Sequence, residues 1–255
     1  MKGRKKPKDV EEEAIAEVAE VIPEEVVIEK KPVIMEHWKP KTDLGNKVKS
    51  GLITDIDDIL DQGLKILEPE IVDILLPNSE YTLLSVGQSK GKFGGGKKSI
   101  WKQTQKKTNE GNKPKFATLA VVGDKNGHIG IGYGKAKETV PAREKAIRNA
   151  KINMINIKLG CGSWACNCND PHSIPFKVYG RCGSVRIYLI PAPKGTRLSV
   201  ETETQKLLSL AGIKDIYSQT FGQTRTKINL IYACFIALKN ISATKRISNI
   251  NQETR

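Results

Sequence analysis

Three thiols and one imidazole fall within twelve residues of this 255-residue chain: Cys161, Cys166, Cys168 and His172. Soft thiolates joined by an imidazole suit a tetrahedral structural zinc. The spacing is not the common two-residue knuckle. The same residues therefore also fit small thiols packed in a tight Gly-rich loop, with His172 bonded to backbone or to a partner. Cys182, between Arg181 and Gly183, reads as a packing residue and not a ligand. Five cysteines, an odd count in a chain whose start has no apolar secretory segment, point to a reducing compartment.

The stretch Gly91-Lys92-Phe93-Gly94-Gly95-Gly96-Lys97-Lys98-Ser99 approaches a nucleotide-binding P-loop. That motif needs Ser or Thr directly after its lysine to hold magnesium, and Lys98 stands there instead. A helix should follow to aim its N-terminus at phosphate, yet SIWKQTQKKT is a poor helix. A flexible basic loop is the better reading. His37, His128 and His172 have no partners at the spacing of a nucleophile or general base. Carboxylates are scarce in the later part of the chain. No enzyme and no cofactor other than the zinc is expected.

Charge supplies the main functional signal. Residues 1–85 carry 12 Lys+Arg against 19 Asp+Glu, whereas residues 86–255 carry 30 against 9. Concentrated like charge opposes folding by self-repulsion, and a polyanion relieves it by exchanging condensed counterions for lysine and arginine. Aromatics at 5% argue against extended binding of single strands by stacked bases. The longest apolar stretch, Ile228 to Leu238, is about half what a bilayer needs, so no membrane partner is expected.

Residues 1–34 read as a disordered acidic tail behind a Lys/Arg head. Residues 35–84 read as a helical extension, with Thr54 the expected N-cap of IDDILDQGLKIL. From Lys115 the pattern turns to β. FATLAVV is a buried-type run, and Asp124-Lys125-Asn126-Gly127 supplies an Asn-Gly turn. On the returning strand Ile129, Ile131 and Tyr133 share one face and Gly130, Gly132 and Gly134 the other, which invites a close backbone. A helix capped by Thr139 follows, striped by Ala142, Ala146, Ile147, Ala150, Met154 and Ile157. After a Cys-rich connector at 161–172, residues 173–242 hold a half-buried strand around Val185–Leu189, a helix ending at Gly212, a strand at Asp215–Phe221 and an apolar core helix. Residues 243–255 form a second tail.

These residues resemble a known family. FATLAVVGDKNGHIGIGYGKAKE (116–138) is similar to the first domain of the universal small-subunit ribosomal protein number five. PHSIPFKVYGRCGSVRIYLIPAPKG (171–195), LAGIKD (210–215) and FGQTRTKIN (221–229) resemble its second domain. WKPKTDLGNKVKSGLITDIDDIL extends the resemblance to about residues 36–241, and LGCGSWACNCNDPHSIPF looks archaeal in type. The resemblance implies an α+β fold: a double-stranded-RNA-binding-like domain over 85–160, then a C-terminal α/β domain. It also implies a cytoplasmic, ribosome-associated constituent of the small subunit. Such a protein would bind ribosomal RNA near the decoding region and the channel through which mRNA enters, beside neighbouring ribosomal proteins, and would contribute to subunit assembly and translational accuracy. No homo-oligomer is expected. The alternative from another class is a free double-stranded-RNA-binding regulator.

The expected RNA contacts are Lys106, Lys107, Lys113 and Lys115 on the family's hairpin loop and strand, then Lys125 and His128 at the next turn. Lys135 and Lys137 follow before the helix. Arg181, Lys194, Arg197, Arg225 and Lys227 belong to the second half. Their recognition mode would be charge and shape, with little reading of base sequence.

Overall fold

The computed structural model describes residues 38–89, 98–168 and 170–243, all within one compact unit. The two expected tails, apart from Ala243, and the core of the Gly/Lys stretch lie outside the described residues.

Three short helices open the described chain: α1 (Asp43–Lys49), α2 (Ile56–Asp61) and α3 (Glu70–Leu75). Thr42 caps α1, its Oγ1 accepting from the Gly45 N–H at 3.1 Å. The cap of α2 is Asp55 rather than Thr54, and it makes no side-chain cap bond. The residues stay short of longer helices because Gly51 and Gly63 turn the chain at φ of 74° and 70°. Val48, Ile56, Ile59, Ile71 and Val72 pack with Val122, Ala150 and Met154. The extension is thus seated on the first sheet and its helix.

That sheet comprises β1 (Glu80–Leu84), β2 (Lys102–Thr108), β3 (Gly111–Gly123), β4 (His128–Ala136) and β5 (Met154–Asn156). Both β1 and β2 pair antiparallel with β3, β2 along residues 111–117 and β1 along 119–123. The edge strand is therefore split in two, and the Gly/Lys stretch leaves from the break. Its base is closed by Gly87 N–H donating to the Ser99 carbonyl at 2.7 Å. SIWKQTQKKT is largely strand, so no helix follows the imperfect P-loop.

Helix α4 (Thr139–Ile152) lies against β4. Ala142, Ala146 and Ala150 are fully buried. A Cβ on Gly130, Gly132 or Gly134 would meet the carbonyl of Ala150, Ala146 or Ala142 at 2.1–2.2 Å. Alternating glycines on the strand and i,i+4 alanines on the helix bring the two backbones together. The helix starts after Glu138, which makes no side-chain cap bond, and Thr139 is already helical. Met154 belongs to β5, not to the helix stripe, because the chain turns at Asn153.

In the second half β6 (Val178–Cys182), β7 (Val185–Pro191) and β9 (Ile216–Phe221) are antiparallel, and β8 (Leu198–Ser199) pairs parallel with β9. Helix α5 (Thr202–Leu210) precedes β9, and α6 (Lys227–Ala243) covers one face of the sheet. The two halves share one hydrophobic core, in which Leu84, Leu119 and Ile129 meet Ile187, Leu207 and Ile231. Each such aliphatic burial stabilises by about 1.5–3 kcal/mol. Glu203 of α5, buried, accepts the Ser85 N–H at 2.8 Å and adds a polar tie.

The β3–β4 loop departs from an Asn-Gly turn. Positive φ falls at Lys125 (66°) and Gly127 (104°), not at Asn126. The loop is docked onto the end of α5. Lys125 N–H donates to the Leu210 carbonyl at 2.9 Å and Gly127 N–H to the Ala211 carbonyl at 3.1 Å. Carbonyls that a helix end leaves without partners are thereby satisfied, and that tertiary requirement sets the turn.

Candidate nucleic-acid interface and metal centre

Beyond the shared core, β2 and the start of β3 continue as a two-stranded ribbon joined by Asn109-Glu110, with Gly111 at φ 109°. Lys106 faces Lys113 and Thr104 faces Lys115 in register. Directly paired residues share a face, and so do alternate ones. Lys102, Lys106, Lys113 and Lys115 therefore line one face, all of them exposed, while Lys107 lies on the other. Across β4, Lys135 stands opposite Ala117, which also pairs Lys102, so it prolongs the same cationic row. Lysines facing one another across strands destabilise a ribbon in water. Within the row Lys113 has an ion-pair partner among the described residues, Glu110 at 2.5 Å. Lys102 was not singled out from sequence; reading SIWKQTQKKT as a strand would have placed it in period two with Lys106.

The other expected contacts are dispersed. Lys137, Arg181, Lys194, Arg197 and Arg225 are exposed. Lys125 is exposed and pairs with Glu80 at 2.7 Å. Lys194 reaches Asp170 at 2.7 Å. Lys227 is mostly covered and pairs with Glu201 at 2.6 Å. Arg197 holds a left-handed backbone at φ 62°, its N–H donating to Asp215 Oδ1 at 2.7 Å. His128 sits differently from the expectation. Its ring is buried, with Nδ1 2.6 Å from Asp124 and Nε2 2.7 Å from Asp57. Both nitrogens already have carboxylate partners, so neither is left for a phosphate.

Cys161, Cys166, Cys168 and His172 converge, with all four donor atoms within 4.8 Å of one another. Cys161 and Cys168 sulfurs are 3.5 Å apart, and His172 Nε2 stands 3.7 Å from Cys166 and 3.1 Å from Cys168. These separations lie at or somewhat inside the edge of a tetrahedron with Zn–S of about 2.3 Å, roughly 3.8 Å. Cys166 and Cys168 lie 2.9 Å apart and share a hydrogen bond. That bond, with help from the Lys194 backbone, brings the Cys166 thiol down to about 6 and pushes Cys168 up to about 11. His172 Nδ1 lies 3.0 Å from Asp215 Oδ2, both side chains buried. A carboxylate behind the histidine is the usual outer partner of a metal-bound imidazole. Asp215 was not foreseen, because the chain reaches it 43 positions after His172. Cys182 stands outside the cluster, against the shared core. The donor set fits zinc.

Among the described residues no helix is long and apolar enough to cross a membrane. The family model for ribosomal protein S5, N-terminal domain, matches residues 100–158, and that for its C-terminal domain matches residues 180–251. The chain is 50% identical over 210 residues to small ribosomal subunit protein uS5 of Nanoarchaeum equitans, covering 82% of this chain and 90% of that one. Identity is 48% over 211 residues to the uS5 protein of Methanocaldococcus jannaschii, covering 83% and 90%. For that of Saccharolobus islandicus it is 44% over 206 residues, covering 81% and 89%. The family is one of ribosomal structural proteins and not of enzymes. Matches to both domains in order, and this identity along most of its length, make the chain a member of the ribosomal protein S5 family.

Proposed function

We propose that this chain is a structural constituent of the small ribosomal subunit, holding ribosomal RNA through the cationic ribbon and the basic loops of its second half. The observation that carries the reading is the row of Lys102, Lys106, Lys113, Lys115 and Lys135 on one face of a protruding sheet. Its like charges are costly in water and are relieved on a phosphate backbone. Contacts of this kind position a protein on RNA by shape and charge. Lys107 on the ribbon's other face, Lys125 and Lys137 beside β4, and Arg181, Lys194, Arg197, Arg225 and Lys227 in the second half add dispersed cations for further phosphates.

The family likeness supports a place near the decoding region and the channel through which mRNA enters, among neighbouring ribosomal proteins, with effects on subunit assembly and translational accuracy. The protein is then cytoplasmic and ribosome-associated. Cys161, Cys166, Cys168 and His172 hold a structural zinc that fixes the connector between the two halves, supplying cross-linking in place of a disulfide. Its ligands position the connector and Asp215 orients the imidazole.

Sucrose-gradient sedimentation of a lysate from the source cells tests the reading. Co-migration with small subunits that survives moderate salt is expected. Recovery only near the top of the gradient rejects it in favour of a free double-stranded-RNA-binding regulator.

A further inference from the structure

The second sheet has a covered face and an open one. Val185, Ile187 and Leu189 point inward under α6, and Gly180 lets the α6 backbone approach so closely that a Cβ there would meet the Ala233 carbonyl at 2.1 Å. The alternate residues point outward. Register sets Tyr179 opposite Tyr188, Tyr188 opposite Gln219, and Arg186 between Arg181 and Phe221. Three rings make a continuous patch. Tyr179 and Tyr188 have centroids 5.0 Å apart, and Tyr188 meets Phe221 edge-on at 5.9 Å. Tyr179 and Phe221 are 38% and 47% exposed, far more than packing onto a core would leave.

Cations frame these rings. Lys177 Nζ stands 5.0 Å above the Tyr188 ring. Arg181 and Arg186 face one another across β6 and β7, a like-charge pairing that costs stability unless an anion lies over it. Residues 171–200 and 216–227 contain no Asp or Glu at all. A hollow of about 550 Å³ lies here, lined by Lys177, Arg186, Tyr188, Gln219 and Phe221 among others.

We infer that the open face of β6, β7 and β9 is a second RNA-binding surface, taking unpaired nucleotides by stacking bases on Tyr179, Tyr188 and Phe221. Lys177, Arg181 and Arg186 take the phosphates. A duplex keeps its bases stacked on one another and offers phosphates and sugars; it has no use for exposed rings. Unpaired bases present flat faces to aromatic rings and leave phosphates for flanking arginines. An acidic peptide would satisfy the arginines and leave the rings in water. The scarcity of aromatics in the whole chain conceals this surface, because four of its 14 aromatic residues, Tyr217 included, fall on these three strands. The inference rests on the RNA-binding reading above and adds a surface that discriminates single strands from duplex.

Full-length protein is titrated at low salt with two labelled probes, a strand of about twelve uridines and an RNA duplex of about 16 base pairs. Tyr179→Ala/Phe221→Ala is expected to weaken the uridine strand at least about tenfold, with duplex binding changed less than about twofold. Tyr179→Phe/Phe221→Tyr, which keeps both rings, should bind both probes as the parent does. Arg181→Gln/Arg186→Gln should weaken the strand and flatten its salt dependence. Lys106→Ala/Lys113→Ala should weaken the duplex and spare the strand. Unchanged uridine binding in the alanine variant overturns the inference, and so does equal loss in the ring-conserving variant. Duplex binding retained in either case leaves the ribosomal reading standing. A parent chain that binds neither probe brings down both.

Discussion

His128 Nδ1 and Asp124 Oδ2 lie 2.6 Å apart at the mouth of the β3–β4 loop, and His128 Nε2 reaches Asp57 of α2 at 2.7 Å. One imidazole thus ties the loop that caps α5 to the helical extension. Burial opposes a charge on this ring, but the hydrogen bonds to Asp124 and Asp57 outweigh it and raise the His128 pKa above 6.5. Burial likewise opposes charge on Asp124, and the bonds from His128 and the Asn126 backbone hold its carboxyl below 3.8.

The signs fix a pH window. A raised histidine stabilises fully below its unfolded value of 6.5, and that contribution fades as pH climbs through the folded value. A depressed carboxyl stabilises above 3.8 and fades as pH falls. Thermal melts are expected to be highest between these limits and to decline as pH rises above 6.5 through the raised value of His128. His128→Gln should lower the plateau and remove most of that alkaline decline. A decline of the same size in His128→Gln would show that the clasp contributes nothing to it.

Gly132→Ala drives a Cβ to 2.1 Å from the Ala146 carbonyl and 2.2 Å from the Ala150 nitrogen. Neither atom can swing aside, so overpacking should cost about 3 kcal/mol, or roughly 6–12 °C in melting temperature for a domain of this size. Gly195→Ala, in open space at φ 93°, should cost about 1 kcal/mol from backbone strain alone. Comparable melting temperatures for the two variants would contradict the strand-on-helix account.

Metal analysis of protein purified without chelator should give one zinc per chain, abolished by Cys166→Ser/Cys168→Ser. Asp215→Asn keeps the four ligands but weakens the support of His172, and should lower zinc affinity about 10–100-fold in competition with a chromophoric chelator. It also removes charge from the acceptor of the Arg197 N–H. Wild-type protein free of zinc, or Asp215→Asn with unaltered affinity, would contradict the assignment.

The sequence made some of this plain and hid the rest for physical reasons. Gly130, Gly132 and Gly134 announced the close approach of another backbone, and Ala142, Ala146 and Ala150 the stripe of a helix, because both periods are local; that the two meet is seen only in the fold. The Cys161–His172 cluster was legible for the same reason. Asp124-Lys125-Asn126-Gly127 misled as a turn, since its shape answers to the Leu210 and Ala211 carbonyls far along the chain. His128 looked like a surface contact for want of Asp57, which arrives from another element. Lys102 and the outward face of the second sheet depend on register, which pairs Arg181 with Arg186 and Lys106 with Lys113 only after folding.

The salt dependence of binding to a transcript of small-subunit ribosomal RNA tests the central claim most directly. If the lysine row and the basic loops replace counterions along folded RNA, log K should fall with log salt with a slope of about −5 or steeper, as for six or more phosphates. Lys106→Ala/Lys113→Ala should reduce that slope by about 1–2. A slope near zero, or one that the double variant leaves untouched, would contradict the account.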